Sequence, residues 1–149
     1  MSIFPTTVLL ATDGSKDAEL ATTTALDLAK STGSELHIVL VEEPTYAYVD
    51  ASGYAYFPDE ELEHELERQA RMRLDAEVQK VRSAGGAVAE AHLRVGSAGA
   101  EIVDVAQEIG AGLIVMGSRG LGGIRRALMG SVSDSVVRHA HCPVLVVRH

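Results

Sequence analysis

Short, β-rich apolar runs alternate along the chain with longer segments of helical periodicity. Five runs read as strands: Thr7 to Ala11, Glu35 to Val41, Ala87 to Val95, Gly112 to Met116 and Pro143 to Val147. Three of them are almost continuously apolar, as suits strands covered on both faces of a parallel sheet. The third alternates more cleanly, which predicts a peripheral position. Four helical patterns lie between. Lys16 to Ser31 aligns Leu20, Thr24 and Leu28 with Ala21 and Ala25, and Gly33 follows as a stop. Asp59 to Ser83 repeats Leu62, Leu66, Ala70, Leu74 and Val78 every four residues, with acids in its first turn, Lys80 and Arg82 near its end, and Gly85-Gly86 beyond. Ala98 to Ile109 turns Ile102, Val105, Ala106 and Ile109 inward, and a fourth helix runs from near Ser131 to about His139. Regular β/α alternation predicts a single α/β domain over residues 1–149, a doubly wound open parallel sheet with helices on both faces.

One long segment, Glu42 to Pro58, has no such pattern. It holds Tyr46, Tyr48, Tyr54, Tyr56 and Phe57. A loop of that length is unusual enough to suspect function; the simpler expectation is that its rings pack it onto the sheet edge.

Composition narrows the function classes. The chain has 149 residues, 46% hydrophobic, and a net charge of −8 from 13 basic and 21 acidic residues. A domain of this size buries roughly 70% of its unfolded surface and needs no metal or disulfide to fold. One cysteine, Cys142, excludes a disulfide scaffold. The N-terminus carries no secretory pattern and no apolar run approaches bilayer-spanning length, so a soluble, cytoplasmic protein with no membrane partner is expected. The acidic balance argues against nucleic acid. Charge is nevertheless uneven. From Gly117 onward five arginines (Arg119, Arg125, Arg126, Arg138, Arg148) face one acid, Asp134, a local +4 that leaves −12 on the preceding residues. A small anion is attracted locally.

The most informative stretch runs from Met116 to Ser131, MGSRGLGGIRRALMGS, between the fourth strand and the fourth helix. Glycines there let successive N–H groups converge on one spot, and the helix N-terminus adds partial positive charge: the requirements of a phosphate cradle. Neither standard phosphate signature is present, since Ala11-Thr12-Asp13-Gly14-Ser15-Lys16 is not G-x-G-x-x-G and no P-loop occurs. The competing reading makes the glycines a long turn with Ser131 as helix N-cap and Asp134 completing a capping box; both readings can hold together. If the strand order is 3-2-1-4-5, Asp13 faces Gly117 across the switch point; if it is 2-1-3-4-5, the crevice lies between Asp13 and Gly96-Ser97. The glycine and arginine load after strand four favours the first.

The spacing Gly117, two residues, Gly120, nine residues, Gly130-Ser131, with Asp13 ending strand one and a closing Cys-Pro-Val-Leu-Val-Val strand, resembles the ATP-binding class of the universal stress protein family over the whole chain. The resemblance implies a Rossmann-like, adenine nucleotide alpha hydrolase-like fold, with ATP, alone or with Mg2+, at the ends of strands one and four. Carried over by position, Ala11, Thr12 and Asp13 line the nucleoside end and Val41 meets the adenine through its backbone. Met116 and Gly117 flank the ribose, and Arg119, Gly120, Gly130, Ser131, Val132 and Ser133 surround the phosphates. Asp13 suits a ribose hydroxyl or the adenine amino group, and repels bare phosphate unless a divalent cation intervenes; Arg119 or Arg125 offsets triphosphate charge.

No Glu, Gln or His is placed in the glycine stretch to position water for hydrolysis. A nucleotide-dependent stress-response sensor is therefore favoured over a slow Mg2+-dependent ATPase or phosphotransferase, and over a scaffold whose glycines only shape a turn. In the first case occupancy alters the loop from Glu42 to Pro58 and the binding of an unknown protein partner. His139, His141, Cys142 and His149 cluster near the C-terminus but fit no standard metal spacing, so no metal site is expected. His37 and His92 fall in predicted strands, where hydrogen-bonded histidines beside the core are expected. The apolar strand Val144 to Val147, at a sheet edge, calls for a cover; pairing with a second copy through a two-fold axis supplies one, as the resemblance also implies.

Overall fold

Odd and even residues of the central strands enter two different cores, which is the signature of a sheet covered on both sides. The computed structural model describes residues 1–44, 48–57, 59–118 and 130–148. Its elements are β1 (Thr7–Ala11), a 3-10 turn (Lys16–Ala18), α1 (Glu19–Thr32), β2 (Glu35–Glu42), β3 (Tyr48–Val49), β4 (Ala55–Tyr56), α2 (Glu60–Ser83), β5 (Glu90–Val95), α3 (Ala98–Ile109), β6 (Leu113–Gly117), α4 (Ser131–His139) and β7 (Val144–Val147). Five strands form one parallel sheet in the order β5-β2-β1-β6-β7. With the β3-β4 hairpin set aside, that is 3-2-1-4-5.

Val8, Leu10, Leu36, Ile38, Leu40, Leu113 and Val115 point to one face, against Ala21, Ala25, Leu26 and Ala29 of α1 and Ala70, Leu74, Val78 and Val81 of α2. Leu9, Ala11, Val39, Ile114 and Met116 point to the other, against Ile102, Val105 and Ala106 of α3 and Val136 of α4. Each fully buried Leu or Ile contributes about 1.5–3 kcal/mol relative to exposure. Helix limits follow local chemistry: Asp59 caps α2 by accepting from the Leu62 amide at 2.8 Å, and Gly33 and Gly110 close α1 and α3 in the left-handed conformation. No helix among the described residues is long and apolar enough to cross a membrane.

Three expectations change. The face of α1 is rotated: Leu20 is 45% exposed, and Leu26 and Ala29 are buried with Ala21 and Ala25, because the helix packs its alanine stripe, rather than the Leu20 side, against the sheet. The segment after β2 is not wholly irregular. Among its described residues Tyr48–Val49 pairs antiparallel with Ala55–Tyr56, around a turn in which Asp50 Oδ1 accepts from the Ser52 and Tyr54 amides. Tyr54 and Phe57, 63% and 77% exposed, do not pack onto the sheet edge. Finally, Ser131 is the first residue of α4 and not its cap. Gly130 holds the N-cap position, no side chain caps it, and Asp134 is drawn away to Arg138 at 3.0 Å.

Candidate functional site

Register decides which strand ends adjoin. Ala11 pairs with Val39 of β2 on one side and Met116 of β6 on the other. The chain leaving β1 at Thr12-Asp13 therefore emerges beside the chain leaving β6 at Gly117. β1 connects through α1 to β2 on one side, while β6 lies on the other, so this is where strand order reverses and open α/β sheets hold ligands.

The β1 side is tightly turned. The Thr12 amide donates to the Val39 carbonyl at 3.1 Å, the Thr12 hydroxyl accepts from the Gly14 amide at 3.2 Å, and Asp13 Oδ1 accepts from the Ser15 amide at 2.9 Å. One such bond does not exhaust a carboxylate's acceptor capacity. Ser15 Oγ is buried and is the side-chain polar atom left without a hydrogen-bond partner among the described residues. Arg73 of α2 lies against Gly14 and binds Glu42 Oε2 at 2.6 Å, bringing a cation to the ends of β1 and β2. Sequence reading passed over Arg73, whose only signal is its place beside Leu74 at the edge of the apolar stripe.

The β6 side is pinned at a neck. The Ser118 amide donates to the Val147 carbonyl at 2.9 Å, and the Ser118 carbonyl accepts from the Gly130 amide. Ser133 Oγ lies 3.0 Å from that same carbonyl and 3.1 Å from the Gly130 carbonyl. Ser118 and Ser133 are 5% and 2% exposed. The Ser118 and Ser133 side chains thus bury where the polypeptide leaves β6 and re-enters α4, and Ser118 was not among the expected residues. Its pin joins positions 15 apart, a relation no local pattern carries.

Among the described residues the first amides of α4 have no acceptor. The first helical bond runs from the Asp134 amide to the Gly130 carbonyl, so the amides of Ser131, Val132 and Ser133 have no partner within the helix. No side chain among the described residues caps them. Three such donors and a helix-dipole end of partial positive charge make this an end chemically suited to an anion.

Of the expected residues, Ala11, Thr12, Asp13, Met116, Gly117, Gly130, Ser131, Val132 and Ser133 lie at these adjoining ends, with Val41 near the end of β2. Ala11 and Met116 are 6% and 5% exposed with side chains in the core, which leaves their backbones for any ligand. Ser133 likewise has its hydroxyl committed to the neck. Arg119, Gly120 and Arg125 lie outside the described residues. Of the C-terminal group, the His139 ring nitrogen Nδ1 sits 2.8 Å from the Ser135 carbonyl, and burial pushes the Cys142 thiol pKa up against a weaker opposing bond to the Ile114 backbone. His149 also lies outside the described residues.

The chain matches the universal stress protein family over residues 5–148. It is 34% identical over 144 residues to a universal stress protein of Methanocaldococcus jannaschii, covering 95% of this chain and 81% of the relative. Its fold is similar to that of UspA from Lactobacillus plantarum, with TM-score 0.80, 27% identity and coverage of 99% of this chain and 100% of that one. It is also similar to a universal stress protein in complex with cAMP (TM-score 0.72, 26% identity, 98% of each chain). A further likeness is to one from Archaeoglobus fulgidus in complex with dAMP (TM-score 0.65, 26% identity, 97% of this chain and 98% of that one).

Proposed function

Because the chain belongs to the universal stress protein family, we propose that it binds an adenine nucleotide, ATP with or without Mg2+, in the crevice beyond β1 and β6 and acts as a nucleotide-dependent regulator in the stress response. The observation that carries this reading is the uncapped α4 N-terminus at the switch point. Among the described residues three amides lack an acceptor, and phosphate oxygens supply one. The unpartnered Ser15 hydroxyl beside Asp13 adds support, since a buried hydroxyl calls for a polar neighbour. The related structures in complex with cAMP and dAMP indicate the ligand class.

In this reading Thr12, Asp13, Val41 and the Ala11 backbone take the nucleoside, and Met116 and Gly117 flank the ribose. Gly130, Ser131, Val132 and Ser133 take phosphate through main-chain N–H groups, together with Arg119 and Gly120. Binding without efficient hydrolysis is the proposed activity, and the segment from Glu42 to Pro58 reports occupancy to a protein partner. The working form is a cytoplasmic homodimer. β7 has β6 on one side, and its Leu145 is 37% exposed; a second β7 across a two-fold axis satisfies the open edge.

Titrating tag-free protein with ATP, AMP, cAMP and adenosine tests the assignment. Affinity is expected to rise with the number of phosphates that reach the α4 amides. Equal affinity for ATP and adenosine contradicts it, as does an absence of nucleotide binding together with no nucleotide released on denaturing the purified protein.

A further inference from the structure

On the same sheet, but toward the opposite end from the crevice, lies a second constellation. Glu35 and His37 of β2 and Glu90 and His92 of β5 point to the α3 face, since residues two apart share a side of a strand and His37 pairs in register with Glu90. His37 Nδ1 and His92 Nε2 are 3.2 Å apart. Glu90 Oε2 lies 3.9 Å from that same His92 nitrogen, and Glu35 Oε2 lies 3.6 Å from His37 Nε2. The two imidazole side chains are about one-tenth exposed, while the two carboxylates reach solvent at 70% and 63%. Arg94 of β5 and Glu108 of α3, both acting on His92, are paired with each other. His37 stands four positions before Val41, about 13 Å along the strand, and His92, level with Val39 and Ala11, lies two strands away from β1, about 10 Å across the sheet, so the cluster lies apart from the β1-β6 crevice.

We propose that His37 Nδ1, His92 Nε2 and Glu90 form a binding site for a Zn2+-class divalent ion, with Glu35 orienting His37 from behind. Ligand atoms of these three side chains lie within 4.8 Å of one another. Two nitrogens each 2.0–2.1 Å from a tetrahedral zinc ion stand about 3.3 Å apart, so the 3.2 Å gap between the rings already matches an edge of the coordination tetrahedron. In the absence of metal that contact is a hydrogen bond between the rings, so metal binding shifts the donor ring's proton to its other nitrogen while the solvent-exposed Glu90 side chain swings in. Glu35 facing His37 Nε2 favours the tautomer with the proton there, leaving Nδ1 as a lone-pair donor, the carboxylate–histidine–metal arrangement of many zinc sites. Two imidazoles and one carboxylate suit Zn2+, Co2+, Ni2+ or Cu2+ and do not suit Mg2+ or Ca2+, which require oxygen cages. Three protein ligands leave a fourth position for water or a small exogenous ligand.

The test uses full-length, tag-free protein stripped with a chelator and titrated with Zn2+ by calorimetry, and with Co2+ by visible absorption. Expected are one Zn2+ per chain and visible ligand-field bands from Co2+ that Zn2+ displaces. His92→Gln, on the edge strand, raises the Zn2+ Kd at least about 100-fold, and Glu35→Gln raises it about 10- to 100-fold. The triple variant His139→Gln, His141→Gln, Cys142→Ser binds like the wild type. Imidazole nitrogen resonances of the unsubstituted protein read the site without any mutation: His37 Nδ1 and His92 Nε2 shift first. No Zn2+ binding, ligation seen first at His64, His139 or His141, or an unchanged Kd in folded His92→Gln overturns the proposal.

Discussion

Ser131→Pro separates the phosphate contact from the fold. Proline at the first helical position costs a helix little, because that N–H has no helical partner and proline's fixed φ suits the turn. The residue before a proline must be extended, and Gly130 already is, at φ −74° and ψ 168°. Ser131 is exposed, so no core packing is lost, and surface changes of this kind move stability by about 0.5 kcal/mol. What the substitution removes is one amide donor to a phosphate oxygen. A hydrogen bond to a charged group is worth about 1.5–3 kcal/mol, which at 1.4 kcal/mol per decade weakens ATP binding by about 10- to 150-fold. Adenosine, lacking phosphate, binds unchanged. Ser131→Ala keeps the amide and loses only the hydroxyl, so it retains most of the ATP affinity. Calorimetric titration with ATP and adenosine reads the effect, and far-UV circular dichroism with a thermal melt shows that the helix persists. A folded Ser131→Pro protein that binds ATP at the wild-type Kd refutes the amide cradle. Parallel losses for ATP and adenosine refute the division of the site into phosphate and nucleoside ends.

Three further outcomes are expected. The carbonyls of Pro143, just before β7, and of Val147 accept from Ile114 of β6 and Ser118 just after it, so by alternation the Val146 amide points to the open edge. Val146→Pro should convert a dimer to monomer by light scattering while leaving ATP affinity intact, and an unchanged dimer removes β7 from the interface. A Cβ on Gly99 of α3 would stand 2.9 Å from Ser135 Cβ of α4; Gly99→Ala is expected to cost about 1–3 kcal/mol through overpacking, a melting point lower by about 2–4 °C per kcal/mol. Adding Ser135→Gly should recover part of that loss, and strict additivity of the two changes would show that this contact does not set the α3-α4 spacing. The Cys142 thiol pKa is raised by burial in the folded chain, so its contribution to stability is complete below the unfolded thiol value and is lost as pH rises through the folded one. Native protein should therefore react with iodoacetamide more slowly than denatured protein, with the rate climbing only above the ordinary thiol range; equal rates at neutral pH contradict the burial.

Periodicity made the sheet legible because each central strand is buried on both faces, so its apolar run is nearly unbroken. The two-residue strands β3 and β4 carry no such run, and their only trace is turn chemistry at Asp50 and Gly53. The β5 boundary moved from Ala87 to Glu90: the alternation starts at Ala87, but regular pairing with β2 begins only after the Ala89 amide has reached the Leu36 carbonyl at 2.8 Å. Gly117, Gly130 and Ser131 were readable from spacing. Ser118 and Arg73 owe their places to tertiary contacts, a carbonyl pinned across the neck and a guanidinium reaching from α2 to Glu42, while Ser133, expected from the resemblance, has its hydroxyl committed to that neck. The joint placement of His37 and His92 was hidden for the same reason, since the residues are 55 apart in sequence and meet only when β2 pairs with β5.

A parallel sheet points every following helix N-terminus toward the same end, so the crevice could in principle draw on several dipoles; local chemistry decides which one remains available. α2 spends its positive end internally, with Asp59 bonded to the Leu62 amide and Glu60, Glu61 and Glu63 in the first turn. α1 has Glu19 at its start and Asp17 in the preceding 3-10 turn. α3 has Glu101 folded back toward Gly96, its carboxylate 2.8 Å from where a Cβ would stand. Each carboxylate near a first turn offsets about 0.3–1 kcal/mol of dipole attraction that an external anion would otherwise gain. α4 opens with Ser131-Val132-Ser133, has no capping side chain among the described residues, and has the acid of its first turn, Asp134, held by Arg138. It also begins beside the ends of β1 and β6, at the point where the sheet reverses its winding. The helix whose first-turn acid is held by a cation is therefore the one placed where topology opens a crevice, and that coincidence, rather than the glycine count of the preceding stretch, is the physical argument for an anionic ligand at α4.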